Sequence, residues 1–72
     1  MKTHQDQNIE NLVACAEFVK KRCLQAALEA YEHAAMRGLC HEGAWEAATG
    51  SIQSLDVDAI VREFIDRERS GA

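Results

Sequence analysis

Between Asn8 and Gly38 the chain has no proline and no internal glycine, so nothing in its backbone chemistry interrupts a helix. The stretch reads NIENLVACAEFVKKRCLQAALEAYEHAAMRG and is rich in alanine, leucine, glutamate and lysine, all strong helix formers. Its apolar residues recur at helical spacing: Ile9, Leu12 and Val13, Ala16, Val19, Cys23, Ala26 and Ala27, Ala30 and Tyr31, then Ala34. A helix over 8–37 would run roughly 45 Å at about 1.5 Å per residue. No other segment offers a scaffold of that size. Asn8, or Asp6 before it, can cap the start by accepting from an unpaired backbone N–H. Gly38 suits the C′ position that ends a helix, with Arg37 favourable in the last turn.

The apolar stripe of this helix changes character along its length. From Cys23 onward it is mostly alanine, which lets a neighbouring helix approach closely but gains little per residue from burial. Leu24, Leu28, Tyr31 and Ala35 flank those alanines and widen the face. The C-terminal half is therefore expected to be covered on two sides, with Leu28 as a core anchor, and the N-terminal half on one. Phe18 and Met36 fall about 180° from Ile9, among charged residues, and are the candidate contacts for a partner. Lys20, Lys21 and Arg22 point in three directions, so they form no basic patch; Glu17 can pair with Lys20 or Lys21.

A second helix is expected over 41–54, with Ala44, Trp45, Ala48, Ile52 and Leu55 as its apolar stripe. Gly43, Ala47, Gly50 and Ser54 form a strip of small residues beside it. Two glycines inside a helix cost about 1 kcal/mol each relative to alanine, and close packing on the first helix is the expected compensation. Trp45, the single tryptophan, is the expected main core anchor. If it were fully buried, Trp45→Ala would cost roughly 3–5 kcal/mol. Asp56 is a good N-cap for a third helix over 57–67, and Leu55 can staple against Ile60. Val57, Ile60, Val61, Phe64 and Ile65 make the third stripe, with Phe64 as its anchor. Asp58 with Arg62, and Glu63 with Arg67, stand in the favourable acid-before-base order. The fold class is thus all-α: a small three-helix domain over 8–68, one long helix with two shorter ones packed back along it. Residues 1–7 and 69–72 are expected to be flexible tails.

Composition narrows the function. With 72 residues the chain is one small domain whose core is marginal, a shortfall that oligomerisation commonly meets. A net charge of −4 argues against nucleic-acid binding by overall charge. A helix-turn-helix reading of the second and third helices fails similarly, because Asp58, Glu63 and Asp66 would face phosphates. No apolar run reaches the roughly 20 residues of a membrane span, and the N-terminus lacks a signal-like apolar region. Three cysteines without an export signal read as free cytoplasmic thiols.

Cys40-His41-Glu42 is the most suggestive chemical cluster. At a helix start, unpaired N–H groups favour a thiolate, and His41 could add to that, so Cys40 is the candidate reactive thiol. Cys15 and Cys23 lie about 80° apart around the helix and cannot readily chelate one ion. His33, Cys40 and His41 match no zinc spacing, so no metal and no cofactor is expected. There is no glycine-rich phosphate loop and no paired-carboxylate cleft. The expectation is a non-enzymatic helical module acting by protein–protein contact, most readily as a homodimer. A thiol-based redox or metal sensor at Cys40 and His41, and a small acidic inhibitor of a larger enzyme, are the rival readings.

Overall fold

A computed structural model describes the backbone of residues 2–71 and the side chains of 8–70. The protein is all-α, with α1 (Lys2–Met36), α2 (His41–Gln53) and α3 (Val57–Gly71). Helical backbone starts at Lys2, ahead of the expected Asn8 cap, and continues to Gly71, past Arg67. The expected tails therefore coincide with helix ends. Met1 and Ala72 lie outside the described residues, as does the side chain of Asp6, the alternative cap.

The turn after α1 is built as its glycine requires. Gly38 has φ +92°, a conformation L side chains rarely adopt. The Leu39 amide donates to the Ala34 carbonyl at 3.1 Å, and the Gly38 amide to that of Ala35 at 3.0 Å. These two bonds are the Schellman pair, and they satisfy carbonyls that the helix end would leave unpartnered. The chain then reverses, and α2 starts at His41 with the Ala44 amide donating to the Cys40 carbonyl at 2.8 Å. At the second junction the expected cap forms: Asp56 Oδ1 accepts from the Ala59 amide at 3.0 Å.

Both short helices pack on α1, and among the described residues α2 and α3 make no close backbone approach to each other. α2 lies along the C-terminal half of α1, and α3 reaches its N-terminal half, where Phe64 meets Phe18. They meet α1 on different faces. α2 uses the alanine stripe, burying Ala34, Ala44 and Ala48. α3 uses the face carrying Phe18 and Arg22, and buries Ile60. The result is long and thin, 55 × 23 × 15 Å.

Two expected anchors stand elsewhere. Trp45 is 60% exposed and Leu28 is 55% exposed. The reason is rotational. α2 turns its smallest residues, Ala44 and Ala48, onto α1, which permits close approach but carries Trp45, about 100° round the helix from Ala44, to the flank. Leu28 lies on the corresponding flank of α1. The third anchor, Phe64, is half-buried against Phe18.

The glycines of α2 do not gain from contact with α1. A Cβ on Gly50 would meet nothing within 4 Å, and one on Gly43 would meet Leu39, the residue just past the turn. Gly50→Ala should therefore stabilise the protein by about 1 kcal/mol, through the lost flexibility of the unfolded chain. Gly38→Ala, which forces alanine into a left-handed conformation, should destabilise it by about 1–2 kcal/mol. Urea unfolding followed by circular dichroism measures both, and a loss of stability in Gly50→Ala would contradict the open environment of that site.

Candidate functional surface

Phe18, expected outside the helical packing, is half-buried and sits at the centre of a cross-helix cluster. Its ring lies 5.5 Å from that of Phe64 at an interplanar angle of 54°, a tilted aromatic contact. The Arg22 guanidinium stands 5.0 Å from the Phe18 centroid and that of Arg67 5.5 Å, so cations from both helices flank one ring. Arg22 also forms an ion pair with Glu63 of α3. Glu63 is thereby engaged across the helices, and Arg67 faces Phe18, in place of the expected pairing of Glu63 with Arg67. The Asp58–Arg62 pair does form, at 2.5 Å, as does Glu17–Lys20 at 3.2 Å. Both of these lie in solvent and contribute little. Met36, the other candidate contact, is 85% exposed.

At the opposite end, the Tyr31 hydroxyl and His41 Nδ1 are 2.6 Å apart, and the rings meet nearly edge-on at 5.7 Å and 70°. This joins the last turns of α1 to the first turn of α2. His41 is thus engaged with Tyr31, while the neighbouring Cys40 is exposed at the N-cap position and makes no side-chain capping bond. Cys15 and Cys23 are half-buried free thiols. Among the described residues, no three His, Cys, Asp or Glu side chains converge as a metal site would require. None of the described helices is long and apolar enough to cross a membrane.

The concave features are open grooves. One of ≈330 Å³ lies between α1 and α3 and is lined by Asn11, Phe64, Ile65, Glu68 and Arg69. Another, of ≈510 Å³, follows the α1–α2 seam and includes Glu29, His33, Ser51 and Leu55. It marks one flank of that seam, and the Tyr31–His41 contact marks the other.

On the Tyr31 side lies the feature that dominates the surface. Leu24 and Leu28 of α1, with Trp45 and Ile52 of α2, share this flank and are all exposed. Toward the N-terminus Ile9 and Val13 lie nearest this side of α1, while Leu12 and Ala16 continue the line of the alanine seam; all four are exposed, Leu12 at 70%. Sequence periodicity identified this N-terminal stripe. It gave no sign that α3 would settle on the Phe18 face and leave the stripe bare.

No protein-family model matches this chain, and neither a curated protein nor a solved structure is significantly similar to it.

The Phe18–Phe64 contact should be measurable as a coupling. A double-mutant cycle of Phe18→Leu and Phe64→Leu should return about 0.5–1.5 kcal/mol of interaction energy. Additive single effects in urea unfolding would mean that the two rings do not hold α3 to α1.

Proposed function

We propose that this protein is a non-enzymatic helical module that works through protein–protein contact, and that its first partner is a second copy of itself. The observation that carries this reading is the amount of surface left bare. The accessible surface is 5940 Å² for a mass of 8.0 kDa. A folded monomer of this mass exposes roughly 4500 Å². The radius of gyration is 16.2 Å, whereas a compact chain of this length has one of about 11 Å. A standard interface takes about 800 Å² from each partner, so the excess accommodates one comfortably.

The character of the bare surface supports the same reading. Each short helix covers only part of the length of α1, and stable small domains close a core between packed layers. A second copy supplies further cover, and closed two-fold dimers are the commonest oligomers. Its exposed aliphatic residues and Trp45 are the kinds of side chain that form the centre of an interface.

Light scattering coupled to size exclusion, run over a wide concentration range, should return the dimer mass at high concentration. Leu12→Asp, which places a charge on the bare stripe away from the helix contacts within the chain, should raise the dissociation constant at least about tenfold. A well-folded protein that stays monomeric at every concentration overturns the homodimer.

A further inference from the structure

We infer that the two copies pair with their long helices antiparallel, the N-terminal ridge of each α1 seated in the partner's trough between α1 and α2. This inference rests on the homodimer proposed above and specifies which surfaces meet.

The bare apolar face has two parts of different shape. From Ile9 to Ala16 a single helix presents a narrow ridge, because α3 lies on another face of α1. From Leu24 to Tyr31 the face is shared by two helices, α1 and α2, with Trp45 and Ile52 along the second. A ridge fits between two helices, whereas a parallel dimer would set ridge on ridge and trough on trough. Antiparallel pairing therefore gives each trough a third helix and each ridge two neighbours.

Register follows from the positions of the apolar residues. A two-fold axis passing close to Lys20 brings Ile9 opposite the partner's Tyr31, Val13 opposite the partner's Leu28, and Ala16 opposite the partner's Leu24. The centre of that interface carries Glu17 and Lys20, which already form an ion pair within one chain. An axis there sets Lys20 near its counterpart, and the Glu17 carboxylate paired with it in each chain supplies opposite charge at the same place. The macrodipoles of two helices of 35 residues also oppose each other in this arrangement and align in the parallel one.

The test uses the unmodified chain. In a dimer assembled from isotopically labelled and unlabelled protein, filtered nuclear Overhauser spectra report only contacts between copies. Val13 and Leu28 are about 22 Å apart within one helix, so a Val13–Leu28 methyl contact has to be intermolecular. That contact, with Trp45 ring contacts to Leu12 or Val13 methyls of the other copy, is the expected result. Separately, Val13→Cys and Leu28→Cys chains lacking the native cysteines should form a disulfide when mixed, and neither should do so alone. Val13–Val13 contacts between copies would overturn the antiparallel arrangement and leave the homodimer standing. A dimer with intermolecular contacts on neither face would also overturn it. A protein that remains monomeric would remove both the arrangement and the homodimer.

Discussion

Everything in this structure depends on the close approach of α1 and α2 along a seam of alanines. Among the described residues Ala34, Ala44 and Ala48 are three of the four buried apolar side chains, and Ile60 is the fourth. Alanines let two helix backbones come near, and the Gly38 turn directs α2 straight back onto α1. Each buried methyl, however, contributes only about 0.8 kcal/mol. Fixing the backbone costs about 1–2 kcal/mol per residue. A seam of this kind can set geometry, but it leaves the larger side chains outside it, and with them most of the apolar surface that could stabilise the fold.

The second attachment has a different chemistry. α3 is held by one buried isoleucine, one aromatic contact and an ion pair, with an arginine from each helix close to the Phe18 ring. These groups are all half-exposed or near solvent except Ile60, so each interaction is discounted by water. Segments with few buried apolar contacts open at a smaller free energy than the whole. By that criterion α3 is the element most easily released, and the α1–α2 hairpin is the firmer unit. Among the described residues α3 makes its close backbone approach to α1 and none to α2.

Local chemistry was legible in the sequence because it depends on single residues. Apolar residues at helical spacing, the left-handed glycine at 38 and the carboxylate cap at 56 mark where helices run, turn and start, and the three helices follow. Rotation about the helix axes was not legible. The apolar arc of α2 spans Ala44, Trp45, Ala48 and Ile52, and periodicity alone does not say which part of a wide arc meets a neighbour. Assigning Trp45 to the core assumes that the largest side chain wins, whereas approach distance favoured the smallest. The same limit applies to α1. Phe18 lies far from the continuous stripe and pairs with α3 because Phe64, Arg67 and Glu63 arrive there together, a coincidence of three residues that no periodic pattern in α1 encodes.

The misplaced anchors carry the proposal forward. Ile9, Val13, Leu24 and Leu28 are exposed along α1 with Trp45 and Ile52 beside them on α2, and such a run of bare apolar side chains is the pattern of a face meant to be covered. Within one copy the covering helix is missing at the N-terminal half and incomplete at the C-terminal half, since α2 takes the alanines and leaves Trp45 beside them. If a second copy lies over that face, Trp45 and Leu28 become interior residues of the assembly, and the sequence pattern and the fold of the single chain agree. Stability then belongs to the pair. Dilution would weaken the fold as well as the association, because a partner that binds only the folded chain stabilises it by mass action.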